Sequence, residues 1–314
     1  MTASAPRSID QYLTQLRAAL LGEDAALIQD ALYDAEEYLR AEVAAHSDKS
    51  EADVLELIAS TYGDPEEVAA AYRDTEAKVK AALKTPTRVS AVVNGKGAVR
   101  RFFDVFLDPR AYTSVFFMLL SLATGILYFT FAVTGISLSA GLAILIVGVP
   151  FFLAFIGLSR VVSLAEGRLL EAMTGERMPR RPVHPGPPTS FWSRMGLMLK
   201  DWRTWTTLAY FVLMLPLGIA YFTAAVVGLT FSLTLIFAPV AAIASRFGWL
   251  GDHFWGNGDF RLVDADFAPA WLGSSWALPL WVLTGVVLLT CFMHLARGVG
   301  KLHAAFAKSL LVAR

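Results

Sequence analysis

The residues of this 314-residue chain that could do chemistry fall into two small sets. Asp252, His253, Asp259, Asp264 and Asp266 are the candidate ligand or sensing residues. Four carboxylates and an imidazole so close together suit a divalent cation, which prefers oxygen ligands, or a cationic peptide. The competing account is a solvated acidic loop that Trp249, Trp255 and Trp271 hold at a membrane interface. The second set occurs twice. Asp108-Pro109-Arg110 and Asp201-Trp202-Arg203 each stand just ahead of a long apolar stretch. Asp108, Arg110, Asp201 and Arg203 suit either a repeated ion-pair latch that fixes a surface helix against its crossing, or simple anchoring at headgroup level.

Other chemistry finds little support. His46, His184, His253, His294 and His303 are scattered; the last two, nine residues apart on a helix, would lie about 13 Å apart, too far to share a metal. They read as interfacial histidines. The lone Cys291 cannot build a disulfide or a cysteine metal site within one chain. No Gly-rich phosphate cradle, serine nucleophile elbow or zincin helix is present. The sequence therefore predicts a non-enzymatic protein with no cofactor, no metal and no catalytic residue. The apolar stretches hold almost no ionisable side chains, which weighs against an ion-coupled transporter, because such residues persist in a membrane mainly for function.

The elements that must position these residues follow from composition. Hydrophobic residues make up 55% and charged ones 17%, too apolar for an ordinary soluble domain. A net charge of zero hides an acidic head, with 17 acidic against 9 basic side chains in residues 1–88, joined to a basic body. Residues 1–84 read as four short helices. Apolar spacing supports them at Ile9, Tyr12, Leu13, Leu16 and Leu20, and at Leu27, Ile28, Leu32, Ala35, Leu39 and Val43. Gly22 suits a stop, Ser50 a cap, and Asp64-Pro65-Glu66-Glu67 a capped start. Residues 85–97 read as a linker, and 98–107 as a short helix at the lipid surface.

The body, 98–314, offers four crossings of roughly 20 residues, at about 112–133, 140–158, 206–227 and 276–295. Arg160, Arg168, Arg177, Arg180, Arg181, Arg194, Lys200 and Arg203 lie between the second and third, and Arg297, Lys301, Lys308 and Arg314 near the end. The positive-inside bias then puts both termini on the cytoplasmic side and 229–275 outside. Within that insertion, 229–244 is expected to be re-entrant or interfacial rather than a fifth crossing. The acidic head should be repelled by nucleic acid phosphates and should dock on the basic loop 160–203 or on a basic partner protein.

The two Asp-x-Arg segments also agree beyond their first residues. With Asp108 set on Asp201, Gly125, Tyr128, Phe129, Gly135 and Ser139 fall on Gly218, Tyr221, Phe222, Gly228 and Ser232. The expected fold is thus all-α: a small cytoplasmic helical domain and a polytopic α-helical membrane domain with two internally repeated hairpins.

Two resemblances rest on particular residues. Tyr12-Leu13, Asp34-Ala-Glu-Glu-Tyr38 and Tyr62-Gly-Asp-Pro-Glu-Glu-Val-Ala-Ala-Ala-Tyr72 resemble the helical signalling domain called HAAS. Asp201-Trp-Arg-Thr-Trp205, Leu215-Pro-Leu-Gly218 with Tyr221-Phe222, and Leu295-Ala-Arg-Gly-Val-Gly-Lys-Leu-His303 resemble the bacterial "putative sensor" membrane domain that precedes many histidine kinases. The resemblance implies an inner-membrane sensor or regulator relaying an envelope or membrane signal. Its implied partners are a cytoplasmic regulator of PadR type or a kinase; membrane lipid and a second copy of the chain, as a homo-oligomer, are the other expected partners. No kinase follows in this chain, so the output is expected to pass through the head or a separate protein. The alternative is an accessory or permease-like subunit of an exporter.

Overall fold

The computed structural model describes residues 5–83, 97–144, 148–181, 196, 200–246 and 277–312. Among these residues the fold is all-α, with no strand. The first four helices are α1 (Ile9–Ala19), α2 (Ala25–Ala45), α3 (Glu51–Tyr62) and α4 (Pro65–Leu83). Their ends lie where side chains can satisfy orphaned backbone groups. Ser8 accepts from the Gln11 N–H, Asp24 from that of Ala26, and Ser50 from that of Asp53. At the α3–α4 corner Gly63 has φ +97° and ψ 162°, a region that a Cβ all but forbids. Pro65 then opens α4, and Glu67 reaches back to the Asp64 N–H at 3.4 Å.

Leu16, Leu20, Ala31, Ala35, Leu39, Leu55, Ile58 and Ala69 fill the core between these helices. Tyrosines close it. Tyr12 donates to the Gly63 carbonyl at 2.8 Å, Tyr38 stacks on Tyr62 with ring centroids 4.4 Å apart, and Tyr72 donates to Asp34 at 3.1 Å. The Tyr-Gly-Asp-Pro-Glu-Glu stretch therefore builds a corner, and the tyrosines on either side of it pack or bond there.

After α5 (Ala98–Phe103) and a 3-10 turn (Asp104–Leu107) come the long helices α6 (Pro109–Leu142), α7 (Gly148–Thr174), α8 (Trp202–Arg246) and α9 (Leu278–Leu311). Each is long and apolar enough to cross a membrane. Only 17–28% of their most apolar windows is covered by protein, leaving Leu127, Val227, Phe231, Phe237 and Leu283 exposed. Apolar surface on that scale belongs in lipid. This is a membrane protein.

The expected boundary near 228 is absent. Residues 229–244 are neither a separate re-entrant element nor a fifth crossing but the continuation of α8, a helix of 45 residues and about 68 Å. Pro216 and Pro239 sit inside it without ending it. Matching helix length to bilayer thickness placed the break too early, because nothing obliges a helix to end where the hydrocarbon does.

The chain divides into two compact units: residues 1–94, 131–211 and 304–314 in one, and 95–130 and 212–303 in the other. In the first, the Phe155 ring occupies the space a Cβ on Gly135 would need, and Phe131 packs beside Phe155. In the second, α6 and α8 touch backbone to backbone: a Cβ on Gly125 would stand 2.5 Å from the Met214 carbonyl oxygen, and one on Gly218 2.3 Å from that of Ser121. Small residues permit such approach, which replaces the hydrophobic drive that lipid removes. Phe292 likewise lies over Gly228. Val105 of the 3-10 turn is buried with Ala111 and Met293, and Phe102 stacks on His294. His303, expected at an interface, is instead 1% exposed among the rings of Phe117 and Tyr221.

Candidate functional site

Among the described residues the most elaborate polar arrangement lies within the first unit, where the segment after α7 meets α2 and α4. Gly175 stops α7 with φ +73°, and its N–H is held by the Glu171 carbonyl. The chain then runs without regular structure through Glu176–Arg180, with Pro179 unable to donate to a helix. This leaves the backbone groups of Arg180 and Arg181 available to another element.

Asp30 takes them. Its Oδ1 accepts the N–H of Arg180 at 2.8 Å and of Arg181 at 2.9 Å. The neighbouring Gln29 donates its Nε2 to the Arg181 carbonyl at 2.6 Å. Asp30 Oδ2 pairs with the Arg177 guanidinium at 3.0 Å, and Glu76 of α4 grips the other Nη of the same group. The two carboxylates are buried, at 7% and 6% exposure, and Arg177 is largely enclosed at 15%. Arg181 lies further out, paired with Asp34 at 3.0 Å, its guanidinium 5.6 Å from the Tyr33 ring centre. Arg180 turns away to Glu171 of the preceding helix α7 at 2.7 Å. Near the end of α9, Lys308 reaches Asp24, the α2 cap, at 2.5 Å.

Burial lifts the Asp30 carboxyl above its ordinary range, although two N–H groups and Arg177 pull it down. The ion pairs thus stand against a desolvation cost. Breaking one member of a buried charge network costs about 3–5 kcal/mol, because its partners stay buried and uncompensated. The arrangement is a clasp that is strongly disfavoured when half made.

The two Asp-x-Arg segments lie at helix starts, as caps. Asp108 Oδ1 accepts the Arg110 N–H at 3.0 Å while Oδ2 pairs with Arg297 of α9 at 3.1 Å. Asp201 Oδ1 accepts the Arg203 N–H at 3.1 Å while Oδ2 pairs with Arg160 of α7 at 3.2 Å. Each aspartate therefore latches to an arginine on a different long helix. The Arg203 side chain also closes the end of α9. Its Nε and Nη2 donate to the Leu311 carbonyl at 3.1 and 2.6 Å, where a cation opposes the helix dipole. Buried Glu166 of α7 accepts the Tyr210 hydroxyl at 2.7 Å. Asp252, His253, Asp259, Asp264 and Asp266 lie outside the described residues.

Residues 117–311, more than half of the chain, match the family described as "Putative sensor". The chain belongs to that family. No curated protein and no solved structure matches it. In this sensor-family chain the matched region contains Arg177, Arg180 and Arg181, whereas α1–α4, which supply Asp30, Asp34 and Glu76, precede it. The clasp joins the family's region to helices outside it.

Charge alone pointed to the loop 160–203 or a basic partner; the contacts with Asp30 and Glu76 fall at Arg177–Arg181 of that loop, and neither carboxylate was singled out in the sequence. Asp30 and Asp34 lie off the apolar stripe of α2 and so read as a solvated face. The available signal was the i, i+4 spacing of Asp30 and Asp34 with Gln29 and Tyr33 beside them, a polar stripe with little positive charge of its own.

Proposed function

We propose that this chain is a non-enzymatic membrane sensor that relays an envelope or membrane signal to a cytoplasmic partner through the docking of α1–α4. In this reading the protein sits in the bacterial inner membrane with both termini on the cytoplasmic side. The helices α1–α4 act as a HAAS-like signalling domain, and their partner is a regulator of PadR type or a kinase. The observation that carries the reading is the buried Asp30–Arg177–Glu76 network, which ties α2 and α4 to the segment leaving a membrane helix. A tilt or rotation of α7 moves Arg177 and the Arg180–Arg181 backbone together, so the clasp is either made or broken. A buried ion network suits such a switch because intermediate states are costly.

The reading also includes a duplication within the membrane region. The register that sets Asp108 on Asp201 sets Ser121 on Met214, and Gly125 and Gly218 pack on these two residues reciprocally. Phe155 and Arg160 on α7 are spaced as Phe292 and Arg297 are on α9, with each phenylalanine over a glycine and each arginine on a capping aspartate. These correspondences support two hairpins of common origin serving as a scaffold.

The test compares wild type with Arg177→Glu in cells, measuring both transcription of the neighbouring genes and efflux. A changed transcription with unaltered efflux is expected. An efflux defect with unchanged transcription would favour an exporter subunit and sink the sensor reading.

A further inference from the structure

The face of α2 and α4 that meets Gly175–Arg181 has the features of a peptide-binding site rather than of a plain acidic surface. Two of its groups read backbone: Asp30 Oδ1 accepts consecutive N–H groups, and Gln29 donates to the carbonyl of the second residue. Two places read side chains. A buried slot between Asp30 and Glu76 takes one arginine, and a more open one at Asp34 and Tyr33 takes another four residues later. The residue before the second arginine is read through its backbone alone, since Arg180 sends its side chain to Glu171. Peptide segments are recognised in this way when backbone bonds supply affinity and pockets at fixed spacing supply specificity. A guanidinium fits the inner slot better than an ammonium because it can engage two carboxylates through different nitrogens.

We propose that α1–α4 form a receptor for a non-helical, arginine-bearing peptide of a partner protein, of pattern Arg-x-x-x-Arg, and that Arg177–Arg181 is an internal stand-in occupying the site. This rests on the sensor reading and names the chemistry of its partner. A signal that withdraws the stand-in exposes the site, and a partner segment then replaces it. Competition from the tethered segment keeps the apparent affinity for any outside peptide low until that happens.

The experiment uses the full chain in lipid nanodiscs and a fluorescent peptide of its own sequence, Gly-Glu-Arg-Met-Pro-Arg-Arg, followed by anisotropy. The double variant Arg177→Ala, Arg181→Ala should bind this peptide at least about tenfold more tightly than wild type, because the internal competitor is weakened. Adding Asp30→Ala to that variant should abolish the gain. Replacing the first arginine of the peptide by alanine should also abolish it, while replacing the arginine at the Arg180 position should leave binding nearly unchanged. Alkaline titration of the tyrosines, which report the packed helices, checks that each variant is folded. Absence of saturable binding to the folded double variant, or binding indifferent to Asp30→Ala, overturns the proposal. The sensor reading has a separate readout in the Arg177→Glu transcription comparison, so a failed peptide experiment leaves it standing.

Discussion

Asp30 concentrates more interactions than any other residue of the clasp, and the chemistry of its carboxyl separates two kinds of contribution. One oxygen accepts two backbone N–H groups; the other carries charge to Arg177. Asparagine preserves an acceptor and removes a charge that burial already penalises, whereas alanine strands two N–H groups and half of the pairing of Arg177. Asp30→Ala should weaken docking by about 3 kcal/mol and Asp30→Asn by about 1 kcal/mol. Spin labels at the exposed Glu37 and Arg168 in a Cys291→Ser background report docking as a distance distribution. Equal effects of the two substitutions would show that charge alone matters there. The tyrosines make a second prediction. Burial holds the hydroxyls of Tyr12 and Tyr72 well above their ordinary value and that of Tyr62 up to about 12. The unfolded chain releases these protons near 10.0, so the folded helices bind more protons through that window and their stability falls as pH rises from there to about 12. Unfolding of α1–α4 should coincide with phenolate absorbance, and Tyr62→Phe should make the pH dependence shallower.

At the scale of elements, the crossing of α6 and α8 depends on two hydrogens where other residues have Cβ atoms. Gly218→Ala places a methyl group 2.3 Å from the Ser121 oxygen, a backbone atom that cannot rotate away. The helices must separate, at a cost of about 1–3 kcal/mol. Gly157, with nothing within 4 Å of its Cβ position, is the matched control, and Gly157→Ala should be neutral or slightly stabilising. Thermal unfolding in detergent measures both; equal responses would mean that close approach at Gly218 is unimportant. The four long helices and the caps at Ser50 and Glu67 were legible in the sequence, and Gly125 and Gly218 stood there among the residues that agree between the two Asp-x-Arg segments. The partners were not legible. Asp108 and Asp201 could be read as latches, but their arginines stand on α9 and α7, and no spacing along one helix encodes which neighbour it meets. The run from 229 to 244 was misjudged for a related reason: hydropathy records affinity for lipid, whereas continuity of the helix depends on backbone groups that remain bonded past Gly228 and around Pro239.

For the whole molecule, the question is what keeps α1–α4 docked in salt. The acidic head and basic loop suggest a long-range attraction that salt would dissolve, since exposed charges are screened within about 8–10 Å at ordinary ionic strength. The observed contacts are of two kinds. Lys308–Asp24 and Arg181–Asp34 are partly open to solvent, with side chains between 23% and 51% exposed, while Arg177 and its two carboxylates are almost enclosed. Screening acts on the first kind and hardly on the second. Double-mutant cycles on the labelled full chain distinguish them. The Lys308–Asp24 coupling should be no more than about 1 kcal/mol at low salt and vanish near 1 M. The Arg177–Glu76 coupling should stay above about 2 kcal/mol across the same range. Raising salt should therefore loosen the rim of the contact without releasing the helices, and release should require a movement that withdraws Arg177. If salt alone separated the labels completely, the buried network would not be what holds the domain, and the net charge of the two halves would be.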